Sequence, residues 1–260
     1  MAQNLYSERQ VRLIRESGRL VAQCLDIVRK MIGPGVTTRQ LDDAITAHIV
    51  KNNARSPFKG YEFPGKKPFP ASCCASVNDV VVHGVPNDVP LKVGDLVSID
   101  VGVYKDGYIG DAAWTFPVGE PDAAAKKLLQ AGEEALMAGI KGARPKGRLD
   151  EISRAVQTLV EGRGFSVVRD YVGHGVGQQL HEEPQVPNYV STTSALLPVF
   201  RTILKPGMVL AIEPMVNEGT PVVRSAPGQW PVKTADGGRS VHFEHTVAIL
   251  QDRVEILTLL

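Results

Sequence analysis

The phrase Leu91-Lys92-Val93-Gly94-Asp95-Leu96-Val97-Ser98-Ile99-Asp100 has a second version in the same chain, Leu204-Lys205-Pro206-Gly207-Met208-Val209-Leu210-Ala211-Ile212-Glu213. Both read L-K-x-G, then an apolar strand, then isoleucine and an acid at the same offset. A carboxylate that follows a run of buried strand residues is costly unless something compensates its charge. Two of them in matching positions point to a duplicated scaffold whose halves meet at a metal centre. Other paired features occur in the same order. Residues 8–31 form an amphipathic helical pattern, Gly33-Pro34-Gly35 breaks it, and Thr37 or Thr38 caps a second helix carrying Leu41-Asp42. Later, 122–140 is helical, the run from Ala143 to Gly147 breaks it, and a further helix carries Leu149-Asp150. His83-Gly84-Val85 is matched by His174-Gly175-Val176. The expected organisation is a tandem repeat of helix, helix and strands, about 8–120 and 121–260, packed as one catalytic domain.

At 260 residues the chain can bury a sizeable core, and no Ser/Gly-rich or charged linker divides it. Its net charge of +1 gives no global reason to expect nucleic acid or an anionic membrane. The three cysteines, Cys24, Cys73 and Cys74, are too few for a disulfide framework and read as reduced thiols. The start of the chain has no apolar leader core, and no stretch approaches the ~20 apolar residues that span a bilayer. A soluble, cytoplasmic protein is expected.

Residues 96–104 and 108–118 are strand-like, and Asp106-Gly107 between them is a strong two-residue hairpin signal. With that turn, Lys105 pairs with Tyr108 and Asp100 faces Ala113. Asp100 and Asp111 then point to the same face as diagonal neighbours, about 7–8 Å apart at Cα. Two carboxylates so placed can hold adjacent divalent ions. In the second half, 241–250 reads as one strand with His242, Glu244 and Thr246 on one face. His242 and His245 fall on opposite faces, so they are not expected to chelate as a pair, and Glu244 is the better ligand. Glycines around His174 let the backbone bend closely about its ring, while the spacing lacks a nucleotide-binding fingerprint. His181-Glu182-Glu183-Pro184 is too short for a zincin motif.

Asp100, Asp111, Gly173-His174-Gly175-Val176-Gly177, His181-Glu182-Glu183-Pro184, Ala211-Ile212-Glu213-Pro214 and Phe243-Glu244-His245-Thr246 follow the order found in type I methionine aminopeptidases. The chain resembles that family, in its short bacterial form, over nearly its whole length. The resemblance implies the pita-bread α/β (α+β) fold, a pseudo-twofold duplication around a central antiparallel-rich sheet. It implies two divalent ions drawn from Co²⁺, Mn²⁺, Fe²⁺ or Zn²⁺. Asp100 would hold one, His174 and Glu213 the other, with Asp111 and Glu244 bridging. Glu213 would also move the proton of the attacking water, and His83 and His181 would contact substrate.

The matching methionine-pocket positions are Phe69, Cys74, Leu180 and Trp230. Phe69 and Leu180 depart from the tyrosine and phenylalanine usual there. The implied activity is hydrolytic removal of initiator methionine before a small second residue. The implied partners are N-termini of nascent polypeptides and a transient ribosome contact, with no specific nucleic acid, no membrane and a monomeric state. The rival readings are a prolidase or aminopeptidase P on the same scaffold, and a noncatalytic binding protein that kept it. Residues 188–202 look inserted between His174 and Glu213, and are expected to be a passive surface excursion, with a lid or partner-contacting loop as the alternative.

Overall fold

Ser7 and Thr37 each accept a hydrogen bond from the backbone three residues on, while Gln10 and Gln40 reach back. These reciprocal caps satisfy amide groups that a helix start leaves orphaned. They open α1 (Glu8–Met31) and α2 (Thr38–Lys51). The computed structural model describes residues 3–191, 193 and 196–260. After α2 come β1 (Cys73–Val77), β2 (Val80–Val82), β3 (Leu96–Lys105) and β4 (Tyr108–Pro117). Asp122 caps α3 (Ala123–Gly142), which is followed by α4 (Leu149–Gly162). The rest of the chain holds β5 (Ser166–Val167), β6 (Gly173–Gly175), β7 (Glu182–Val186), α5 (Leu197–Phe200) and β8 (Val209–Ile212). It ends with β9 (Met215–Asn217), β10 (Val223–Ser225), β11 (Val232–Thr234), β12 (Ser240–His242), β13 (His245–Ile249) and β14 (Val254–Ile256). Among the described residues no helix is long and apolar enough to cross a membrane.

The strands lie in four antiparallel groups, ordered β1-β3-β4, β14-β13-β8-β6-β7, β12-β9-β5 and β10-β11-β2. The β3–β4 register is the one predicted: Lys105 pairs with Tyr108 and Asp100 with Ala113. Asp106 and Gly107 both have positive φ, 49° and 89°, as a tight hairpin turn of this hand requires. The two L-K-x-G phrases build the same turn. Gly94 and Gly207 share a φ of 94°, where an L side chain is strained. Each glycine amide donates across to the partner of the strand it introduces, Gly94 to Val118 just after β4 and Gly207 to Ile249 in β13. Thus β3–β4 in the first half and β8–β13 in the second enter the core alike.

Period-two alternation then sorts the side chains. In β3, Val97, Ile99, Val101 and Val103 join Leu41 and Ile45 of α2 and Val21 and Val28 of α1. In β8, Leu210 and Ile212 join Leu136 of α3 and Ile152 and Val156 of α4. The helices cover these faces, which leaves the faces bearing Asp100 and Glu213 to look towards each other. Two threonine hydroxyls tie the halves at that seam. Thr246 Oγ1 accepts from the Asp111 amide (3.0 Å) and donates to its carbonyl (2.7 Å). Thr115 Oγ1 does the same with His242, at 2.9 Å in both directions.

Two expectations need correction. The 241–250 segment is not one strand: β12 pairs with β9, the chain leaves that sheet at Phe243-Glu244, and β13 pairs with β8. The Glu244 amide meets the Ala113 carbonyl across the seam (2.8 Å), so the contact between halves wins over strand continuity. The 188–202 segment, in which 192, 194 and 195 lie outside the described residues, is not a loose excursion at its ends. Asn188 and Phe200 are buried, Val199 packs against the core that α4 lines, and the Thr202 carbonyl accepts from the Leu149 amide.

Candidate metal centre

Each site carboxylate is held by a different strand or strand junction. Asp100 and Asp111 come from the β3–β4 hairpin, Glu213 follows β8, and Glu244 sits at the β12–β13 break. His174 lies in β6, directly opposite Ala211 of β8. The structure brings ligand atoms of Asp111, His174 and Glu244 within 4.8 Å of one another. Glu213, His242 and Glu244 form a second such group. Glu244 belongs to both, so the two clusters share a carboxylate. Asp100 falls outside these two groups but neighbours Asp111, and one of its oxygens is buried without a partner.

Asp111 and Glu244 are 3% and 2% exposed, and Asp100 Oδ1, Asp111 Oδ1, Glu244 Oε1 and His242 Nε2 all lack hydrogen-bond partners. Buried polar atoms are normally satisfied, and several orphans converging on one point call for a ligand. The donors are carboxylate oxygens and imidazole nitrogens, which suit divalent cations. The site therefore fits divalent metal.

His174 is preset for that role. Its Nδ1 lies 2.9 Å from the Gly175 carbonyl oxygen, which can only accept, so the ring proton sits on Nδ1. Nε2 then carries the free lone pair, 3.4 Å from Glu213 Oε1. Such a partner on the far nitrogen is the usual way a protein fixes a metal-binding histidine.

Without cations the cluster is electrostatically unfavourable. Burial raises the carboxyl of Asp100 to about 7 and that of Glu213 to about 8. Burial, and then the neighbouring carboxylates, push Asp111 and Glu244 well up. Burial also lowers His83 and His174 to about 3. The two sets act on stability with opposite sign. The raised carboxyls bind protons more tightly in the folded state, so their contribution is lost as pH rises through about 7 to 8. The lowered histidines refuse protons that the unfolded chain accepts, so they cost stability only as pH falls below about 6.5. From about 6.5 to 8.5 only the carboxyls count. Metal-free protein should melt at progressively lower temperature across that window. The gain in melting temperature on adding divalent ion should grow over it, because the ligands bind deprotonated. Thermal melts with and without ion check this; a metal-free melting temperature that stays flat or climbs would contradict it.

The remaining predicted residues border the cluster. Cys74 on β1 is the direct cross-strand partner of Asp100. Phe69 and Leu180 are buried in the same apolar cluster as Cys74, with Trp230 packed against it. The Phe69 and Trp230 rings meet edge to face at 5.3 Å, and His83 lies 6.2 Å from the same indole. His83 is held at a φ of 59°, a strained conformation of the kind that gathers at functional sites. The ring of the exposed His181 stands 4.6 Å from that of His174.

Sequence reasoning missed three residues. Tyr61 places its hydroxyl 3.1 Å from His181 Nδ1, and no spacing signal marked it. Asn188 donates to the Glu213 carbonyl at 3.0 Å, yet it reads in sequence as the start of an insertion. His242 joins the second ligand group, and its signal was its place on the Glu244 face.

The sequence pattern of metallopeptidase family M24 matches residues 12–251. Methionine aminopeptidase 1 of Bacillus subtilis is 48% identical over 250 residues, 96% of each chain. The crystal structure of methionine aminopeptidase from Thermotoga maritima superposes with a TM-score of 0.92, at 40% identity and over the whole of both chains. Prolidase from Pyrococcus furiosus is 22% identical with a TM-score of 0.75, and this chain covers 66% of it, a likeness of fold alone. The α/β architecture is the pita-bread fold of these enzymes, and the chain belongs to metallopeptidase family M24, among its methionine aminopeptidases.

Proposed function

We propose that this chain removes N-terminal methionine by metal-assisted peptide hydrolysis, with two divalent ions held by Asp100, Asp111, His174, Glu213 and Glu244. The observation that carries the reading is the shared wall between cluster and pocket: Cys74 faces Asp100 in one ladder and lies in the cluster of Phe69 and Leu180. Sulfur and aromatic walls suit a polarizable thioether side chain. When bound, ions of this class polarise a carbonyl and lower the pKa of water towards 7.

The chain's own groups do the rest. Glu213, held as a carboxylate when the ions are bound, accepts the proton of the attacking water and passes it to the leaving amine as a general base and then a general acid. His181, exposed beside His174, donates to the oxygen on which negative charge develops. His83 contacts the scissile amide. The reaction is placed at the N-termini of nascent polypeptides in the cytoplasm, with a transient ribosome contact and a monomeric enzyme. Support for that setting is the family resemblance.

Incubation with Met-Ala-Ser and Ala-Pro-Ala peptides in the presence of Mn²⁺, Co²⁺ or Fe²⁺ tests the activity. Methionine release from the first is expected; preferential cleavage of the second would move the chain to the prolidase-like enzymes. His181→Ala should lower kcat roughly 10²–10³-fold and leave KM little changed, because the donated bond strengthens only in the transition state. A change in KM alone would make His181 a ground-state contact. Met-Ala peptides should also be cleaved with higher kcat/KM than Met-Val and Met-Leu. A bulky second residue displaces the carbonyl, and about 1 Å of misplacement can cost 10²-fold. Equal cleavage of Met-Leu would remove the steric argument.

A further inference from the structure

His242 is the one member of the two ligand groups that the five-residue set leaves without a task. It is 2% exposed, and its Nε2 has no hydrogen-bond partner. That nitrogen lies 3.5 Å from Glu213 Oε2 and 3.9 Å from Glu244 Oε2. Both separations are long for hydrogen bonds, whose N–H···O distances run to about 3.2 Å. They suit two ligands of one ion: bonds of about 2.1 Å meeting at a tetrahedral angle set their donor atoms about 3.4 Å apart. The separation of His174 Nε2 from Glu213 Oε1, 3.4 Å, is of the same kind. The backbone that carries the ring is fixed. Thr115 grips the His242 amide and carbonyl together, so β4, the strand that carries Asp111, also sets the position of His242.

We propose that His242 is a sixth protein ligand of the metal centre, binding through Nε2 the ion held between Glu213 and Glu244. The inference rests on the proposed dinuclear reading and extends it. Imidazole is neutral, so a second one leaves the charge balance of four carboxylates against two dications unchanged. It does make the donor set richer in nitrogen. That biases the site towards Fe²⁺, Co²⁺ and Zn²⁺ over Mn²⁺, since oxygen donors serve Mn²⁺ well and imidazole serves the later metals. The competing assignment is a donor: with its proton on Nε2, His242 would orient Glu213 and touch no ion.

X-ray absorption on the unmodified protein loaded with two equivalents of Co²⁺ separates these. Two imidazoles over two ions give about one per ion, whereas His174 alone gives about half. His242→Phe keeps a ring of similar shape without the nitrogens. It should weaken binding of one Co²⁺ at least about tenfold and change the visible absorption of the Co²⁺ protein, while the other ion still binds. A count near half an imidazole per ion overturns the proposal whatever the variant does, including a variant that fails to fold. Wild-type protein that binds no divalent ion would instead sink the dinuclear reading itself.

Discussion

Glu244→Gln should lower methionine release by about 10³-fold or more, beyond the 10–100-fold typical when a partner outside the coordination sphere is lost. Glu244 belongs to both ligand groups, so one amide for one carboxylate removes charge from both sites together. Asp111→Asn should behave alike, and Asp100→Asn should spare one ion. Elemental analysis of metal per chain checks each variant, and two tightly held ions in Glu244→Gln would contradict the shared role. The amide also separates loss of charge from loss of fold. Burial, and then the neighbouring carboxylates, push the Glu244 carboxyl up in the metal-free protein. Glutamine has no charge to bury or to repel its neighbours, while the backbone amide keeps its bond to Ala113. Metal-free Glu244→Gln should therefore melt at or above the wild-type temperature, and gain less when ion is added.

The second large effect concerns packing that positions Asp111. A Cβ at Gly110 would lie 2.5 Å from the Gly18 amide nitrogen and 2.7 Å from its Cα. The obstacle is the backbone of α1, not the end of a flexible side chain. Gly18 in turn has no room to retreat, because its own Cβ direction is closed by the Leu257 backbone. Gly110→Val should force α1 off β4 and destabilise the protein by about 3 kcal/mol, the upper end of ordinary overpacking. For a chain of this size that is on the order of 10 °C in Tm. Since Gly110 precedes Asp111 in β4, metal affinity should fall with it. Gly162→Ala at the end of α4 is the control: its Cβ would meet nothing within 4 Å. Alanine there should be neutral or stabilising by up to about 1 kcal/mol. Equal melting of Gly110→Val and wild type would show that the helix can slide freely.

Much of this arrangement was legible in residue order because local chemistry dictated it. Asp106-Gly107 sets the turn, the turn sets the β3–β4 register, and the register puts Asp100 opposite Ala113. Gly94 and Gly207 mark equivalent turns because each needs the same positive φ. What was hidden depended on contacts distant in sequence. The 241–250 alternation continues through Phe243-Glu244, yet the strand changes sheets there because Ala113 captures the Glu244 amide. His242 lay on the predicted face, but only the approach of Glu213 brings its Nε2 into a group that could hold an ion. Asn188 bonds a residue 25 positions away, and Tyr61 one 120 positions away, beyond any periodic signal.

If hydrolysis runs at this buried cluster, it needs divalent ion there. Protein stripped by chelator, with metal removal verified by elemental analysis, should release no methionine from Met-Ala-Ser. Titrating Mn²⁺, Co²⁺ or Fe²⁺ back while following bound metal and free methionine together should restore activity as the cluster fills, up to about two ions per chain. Full methionine release from verified metal-free protein would contradict the account.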